Sequence, residues 1–266
     1  MILTWFIHLA LFTFICRGDY LRTTMLTVKN DFSGSTKTIT FLRHSTTENN
    51  EYMRQHSPRA WGGDEDFFED PGLRDTKLSE KGLSLVKSLN ERLINGENLF
   101  DKATIDLVAV SPLRRTLQTA AIGLNRVLLN AEHNPPTVVC PLAAERCYME
   151  ADVGRPRSVL EAEFPQFDYS ALPKDDSAWW YEGSTNEPEW RPPGQYKCGG
   201  EPKDAFGNRM IALKKWLAGR EESNILLVAH WGTINSLTGV QFSNCEIRPF
   251  KFSQLLSDEE ILRANV

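Results

Sequence analysis

From residue 37 onward the chain alternates short apolar runs with amphipathic stretches. Lys37 to Leu42 (KTITFL) is rich in β-branched residues and predicts a buried strand that ends at Arg43-His44. Ser79 opens a run with Leu83, Val86, Leu89 and Leu93 on one face, which predicts a helix over residues 79–94. Ile105 to Val110 (IDLVAV) predicts a second strand, and the cap-then-proline pair Ser111-Pro112 predicts a helix from there to about Leu129. Thr137–Cys140 reads as a third strand, residues 157–163 as a short helix, and Lys203–Leu217 as a longer one. Asn224 to Ala229 (NILLVA) reads as a strand ending at His230, and Ile247–Phe252 as an edge strand. Strand-helix alternation of this kind predicts an α/β fold, a three-layer αβα sandwich around a mainly parallel sheet.

Three stretches stand outside the alternation. Residues 62–72 are acidic, contain glycine and read as a loop. Residues 165–200 set Trp179, Trp180, Tyr181, Trp190 and Tyr196 among Pro, Gly and acidic residues, the composition of an ordered loop or lid rather than a disordered linker. Met1–Cys16 is almost wholly apolar, with Arg17 directly after it. It fits a signal anchor, a cleaved signal or an ordinary buried segment, and is short for a span of about 20 residues. The expected organisation is an N-terminal apolar segment and linker over residues 1–36, followed by one domain over 37–266.

Composition narrows the partners. The net charge is −5 and no run of Lys and Arg forms a stripe, so nucleic acid is not expected to bind, and membrane association could come only through residues 1–16. An anionic ligand would need a local cluster of cations. The five cysteines form no C-x-x-C pair, and no Asn-x-Ser/Thr sequon occurs, which favours a reducing cytoplasmic setting over the secretory alternative. Neither His-x-x-x-His nor a carboxylate cluster suggests a metal, and no cofactor is implied.

In open α/β sheets, ligands bind beyond the carboxyl ends of the strands. Three such ends carry chemistry here: Arg43-His44-Ser45-Thr46-Thr47, Ser111-Pro112-Leu113-Arg114-Arg115 and His230-Trp231-Gly232-Thr233. One His beside one Arg is more often a surface or hydrogen-bonded residue than a catalyst. Three strand ends of the same character point to one site for a phosphate dianion, with Arg offering a fork of donors and His a nucleophile or donor. His8, His56 and His133 lack this placement.

These residues resemble the histidine phosphatase superfamily, which includes cofactor-dependent phosphoglycerate mutase. The resemblance rests on R-H-S-T-T-E-N-N (Arg43, His44, Thr47, Asn50) and on D-x-x-L-S-x-x-G (Asp75, Leu78, Ser79, Gly82). It rests equally on S-P-L-x-R-x-x-x-T-A (Ser111 to Ala120) and the late H-x-G (His230, Gly232), all in order. It implies that His44 attacks phosphorus and forms a phosphohistidine. Arg43, Arg115 and His230 would bind the transferring group, and Asn50 and Trp231 would complete the substrate-binding set. It also implies a proton donor after the third strand, placed at Glu145, with Glu150, Asp152 or Asp75 as alternatives. Ser45 stands where the family usually has Gly, and Thr46 replaces an acid common among the mutases. Arg114 and Arg146 are expected at the surface. A histidine acid-type phosphatase acting on a small phosphorylated substrate is therefore expected, ahead of a mutase-like phosphotransferase or a catalytically weak scaffold.

Overall fold

A computed structural model of the chain describes residues 36–56, 70–182 and 200–264. The chain divides into a unit Met1–Asp31, outside those residues, and a unit Phe32–Val266, which contains everything that follows. The apolar N-terminal stretch, most of the acidic loop and residues 183–199 of the aromatic segment therefore lie outside the described residues.

The elements in chain order are β1 (Thr38–Arg43), α1 (Glu48–His56), α2 (Glu80–Ile94), β2 (Leu107–Val110), α3 (Arg114–Gly123), β3 (Thr137–Val139), α4 (Arg157–Glu163), α5 (Lys203–Gly219), β4 (Asn224–Ala229), α6 (Trp231–Thr238), β5 (Ile247–Lys251) and α7 (Asp258–Arg263). The strands form one sheet in the order β3-β2-β4-β1-β5. All neighbours are parallel except β5, which runs antiparallel to β1. Pro249 is tolerated on β5 because an edge strand leaves one side without ladder bonds. No helix among the described residues is long and apolar enough to cross a membrane.

Both faces of the sheet are covered, which is why the central strands read as unbroken apolar runs. Leu42, Val108, Val110, Leu226 and Val228 pack on one side beneath α2 and α3. Ile39, Phe41, Leu107, Ala109, Ile225 and Leu227 face the other side, beneath α5, α6 and α7. Each fully buried side chain of this size stabilises the fold by about 1.5 to 3 kcal/mol relative to an exposed one. The result is an αβα sandwich, as the alternation predicts.

The structure differs from the sequence pattern in several places, each with a local cause. The helix expected from Ser111 to Leu129 spans only Arg114–Gly123, because the Ser111 hydroxyl is committed to His230 and the chain breaks at Arg126, whose φ is 59°. In α2 the buried stripe is Gly82, Val86, Leu89 and Leu93, with Leu83 half-buried. Helix α1 has no apolar stripe to announce it, since only Asn49 and Met53 are buried. Helix α7 does carry a signal, the capping box of Ser257 with Glu260.

Candidate active site

Strands β2, β4 and β1 are adjacent, so the residues that follow them meet at one edge of the sheet. Two of these positions prolong the ladders: His44 N–H donates to Ala229 O at 3.0 Å and Ser111 N–H to Val228 O at 3.0 Å. Beyond His44 the chain leaves the sheet and is tied to α2 and α3. Ser45 N–H donates to Thr119 Oγ1 at 3.0 Å, and the Ser45 hydroxyl turns to Gly82 O at 2.8 Å. Thr46 O accepts from Ser79 N–H at 3.0 Å. A Cβ at Gly82 would stand 1.9 Å from Thr46 O, so only glycine lets α2 come this close.

His44 is 5% exposed, and its Nδ1 lies 2.7 Å from Ser45 O. A carbonyl can only accept, so the ring proton sits on Nδ1 and Nε2 carries the lone pair. Burial first, then the charges of Arg115 and Arg43, push the His44 pKa well below its usual value and keep the ring neutral. The His230 ring lies 5.2 Å away, centre to centre. Arg115 Nε–H donates to His230 Nδ1 at 3.2 Å, which leaves the His230 proton on Nε2, facing Ser111 Oγ at 2.7 Å. Burial and the Arg115 charge hold His230 neutral as well.

Arg115 is anchored on its outer side. Its Nη1 donates to Ala151 O at 2.7 Å and its Nη2 to Asp152 Oδ1 at 2.8 Å, and both partners of that ion pair are buried. Thr119 Oγ1 donates back to Arg115 O at 2.7 Å, which accounts for the threonine of the T-A pair. Arg43 donates through Nη1 to Phe242 O at 2.6 Å, while its buried Nε has no partner among the described residues. Burial lowers Arg43 to about 10, so it remains cationic at neutral pH. Two cations and two neutral imidazoles thus share one buried corner.

Glu145 enters from the stretch after β3. Its Oε1 accepts from Arg146 N–H at 2.9 Å and its Oε2 from Gly232 N–H at 3.0 Å, in the first turn of α6. Burial, reinforced by the charge of Asp152, raises its pKa against those two bonds. Arg209, which has no motif around it, holds this stretch in place. It donates to Leu142 O at 2.9 Å, Ala144 O at 2.8 Å and Glu145 O at 3.1 Å, and pairs with buried Glu201 at 2.7 Å.

The remaining sequence-predicted residues are placed differently. Asn50 Oδ1 accepts from Thr47 N–H at 3.1 Å, while Thr47 Oγ1 accepts from Asn50 N–H at 3.0 Å, a reciprocal cap on α1. Trp231 directs its indole N–H to Gln241. Asp152 is the partner of Arg115, and Glu150 N–H donates to Asp70 at 2.7 Å. Arg114, expected at the surface, instead makes a half-buried bidentate pair with Glu163 at 2.8 and 3.0 Å. Arg146 donates to Glu201 O at 2.8 Å. Trp179 packs onto Gly154, where a Cβ would meet the ring at 2.2 Å, so this tryptophan secures the aromatic segment to the domain.

Residues 39–253 match the histidine phosphatase superfamily (branch 1), and the chain belongs to that superfamily. An Arabidopsis thaliana protein named phosphoglycerate mutase-like protein is 25% identical over 252 residues, covering 80% of this chain and 83% of its own. A Schizosaccharomyces pombe protein named as a probable phosphatase is 29% identical over 146 residues, covering 53% of this chain and 56% of its own. Among solved structures, mycobacterial hydrolase 1 is 21% identical with a TM-score of 0.45, covering 80% of this chain and 90% of that one.

Proposed function

We propose that the protein is a phosphomonoesterase that works through a phosphohistidine on His44. The observation that carries this reading is the His44 ring, with Nδ1 fixed on Ser45 O at 2.7 Å and Nε2 left as a neutral nucleophile beside Arg43 and Arg115. In the first step Nε2 attacks phosphorus in line, the N–P bond forms and the ester P–O bond breaks. Arg43 and Arg115 stabilise the charge on the equatorial oxygens, with His230 at the same corner. Glu145, whose pKa burial raises, gives its proton to the leaving oxygen. In the second step Glu145 takes a proton from water, which attacks phosphorus, and His44 leaves with its lone pair.

Hydrolysis needs only these residues, whereas a mutase must also hold a second phosphate. The Arabidopsis relative's name keeps mutase-like transfer as the second reading. The expected ligand is a small phosphorylated molecule and the expected compartment the cytoplasm, where Cys140 and Cys245 would persist as thiols. The test is incubation with a panel of phosphate esters, assaying released phosphate and acid-labile label on His44. Phosphate release that falls by about a thousandfold or more in His44→Ala supports the hydrolase. Label moving between two positions of one substrate without net release would replace it with the mutase, and a folded protein with neither activity would leave the scaffold.

A further inference from the structure

The turn before α2 holds a carboxyl group that this chemistry does not use. Asp75 is fully buried, and its φ of 45° lies in the left-handed region, which a non-glycine residue rarely adopts without a structural reason. Its Oδ1 accepts the N–H of Arg114, the first residue of α3, at 2.8 Å. Its Oδ2 is buried and has no hydrogen-bond partner among the described residues. Helix α3 has no side-chain cap of its own, since Leu113 stands at the cap position. The residue suited to that task, Ser111, has its hydroxyl on His230 and stands 3.5 Å from Leu113 N. Asp75 supplies the cap from across the fold.

The residues after Asp75 touch both α3 and the loop that carries His44. Leu78 N–H donates to Gln118 of α3 at 2.8 Å, while Leu78 bridges Thr47, Glu48 N–H donates to Lys77 O at 3.2 Å and Ser79 N–H to Thr46 O at 3.0 Å. Residues 75–79 are thus a strap with one edge on the helix that carries Arg115 and the other on the loop that carries His44. We propose that Asp75 is a positioning residue for phosphoryl binding, setting the first turn of α3, and so the Arg115 guanidinium, against the His44 loop. The proposal rests on the phosphoryl-site reading above.

The charges around Asp75 explain why a strap of this kind has a pH dependence. Arg114 and Arg115 face it from α3 and Arg155 from the stretch before α4. Arg114 is already paired with Glu163, which also takes Lys77, and Arg115 is paired with Asp152. Burial therefore outweighs the three arginines and raises Asp75 to about 7. As a neutral acid, Asp75 caps α3 without placing a second negative charge behind Arg115. Ionised, it competes with a phosphate dianion for that cation. The same shift makes the carboxyl a stabilising contribution that is complete below its usual value of 3.8 and lost as pH rises through about 7.

The experiment measures inorganic phosphate binding by calorimetry, with melting temperatures, for the wild type, Asp75→Asn and Asp75→Ala at pH about 6 and about 8. Asp75→Ala, which removes the cap, is expected to bind phosphate about tenfold more weakly at pH about 6, because small misplacements of a binding group are costly, with the gap narrowing at pH about 8, where the wild type alone carries the competing charge. Asp75→Asn keeps the capping oxygen but cannot ionise. Its affinity and melting temperature are expected to gain on the wild type between the two pH values, the affinity by about three- to tenfold. Parallel affinities of Asp75→Asn and wild type across pH would overturn the proposal, as would an Asp75→Ala protein that binds like the wild type at pH about 6. Should Asp75→Ala fail to fold, the Asn comparison decides alone. Phosphate binding without ester turnover would defeat the hydrolase reading and leave this one standing, whereas a wild type that binds no phosphate would sink both.

Discussion

The His44 side of the candidate site rests on three adjacent strand ends, whereas the Glu145 side, the proposed acid side, rests on an irregular stretch, residues 140–155, pinned by arginines. On the first side His44 and Ser111 still take part in the sheet's hydrogen-bond ladder, so their backbones are as well placed as the core strands beneath them. On the second side only short 3₁₀ turns occur, and Glu145 owes its place to Arg209 reaching its carbonyl from 64 residues away. The comparison teaches that one half of the site inherits its precision from backbone bonds and the other from a few charged side chains. Damage to the two halves should therefore look different.

The largest effect separating the halves is expected from Glu145→Gln. The isosteric amide keeps the shape and the bond from Gly232 N–H but cannot release a proton, so turnover of alkyl phosphates should fall by about a hundred- to a thousandfold. In kcat/KM, which reports the steps through phosphoryl transfer to His44, esters with acidic leaving groups should lose far less, since they need no proton there, whereas the activation of water is lost for both classes. Because burial raises the Glu145 pKa, the acid form persists to higher pH than usual, and activity is expected to decline as pH rises through that value. The declining limb should be missing from the variant's pH–rate profile. Equal losses in kcat/KM for both ester classes would move the acid role to another carboxyl group.

A smaller effect is expected from Arg209→Ala, which touches no reacting atom. Its loss frees the carbonyls of Leu142 and Glu145, leaves Ala144 O to Thr233 Oγ1, and strips the buried Glu201 carboxylate of its guanidinium, with the Cys147 N–H still on it. Removing one partner of a buried pair destabilises by about 3 kcal/mol, with turnover reduced about tenfold as Glu145 loses its register. Pairing the change with Glu201→Gln should recover most of the melting temperature by removing the stranded charge, yet little of the turnover, because the carbonyl anchors stay lost. Recovery of both together would make Arg209 a purely electrostatic element.

The same division decides what was legible in the sequence. β1, β2 and β4 announce themselves as apolar runs, and the candidate residues His44, Arg115 and His230 follow within a few positions of their ends, so that these three meet at one sheet edge was legible from pattern and motif. Ser111-Pro112 was legible as a helix start and is not one, because the hydroxyl that would cap the helix is bound to His230 and the cap comes from Asp75. Nothing in the neighbourhood of Arg209 marks it, since its partners lie in a different part of the chain. Helix α1 was hidden by its polarity, although the Thr47–Asn50 pair is a cap signal of its own. Periodicity and strand ends report backbone-built structure; pairings of distant charged side chains leave no local trace.

The smallest effect, and the sharpest test of the strand side, concerns Ser45. A residue larger than glycine beside His44 would obstruct phosphate if its side chain faced the site. Here the hydroxyl is fully buried and donates to Gly82 O at 2.8 Å, on the α2 side of the loop, and the Cys245 thiol is its other polar neighbour. Ser45→Gly should therefore leave kcat/KM within about threefold of the wild type, while the lost buried hydrogen bond and the freer backbone lower stability by about 1 to 2 kcal/mol. Ser45→Ala, which retains the Cβ, should lose only the hydrogen-bond part of that stability and the same little activity. Urea unfolding and steady-state kinetics on the two variants give both quantities. A rise in kcat/KM of about tenfold or more in the glycine variant would mean that the side chain restrains phosphate approach, and that the strand side is tuned by a side chain after all, as the acid side is.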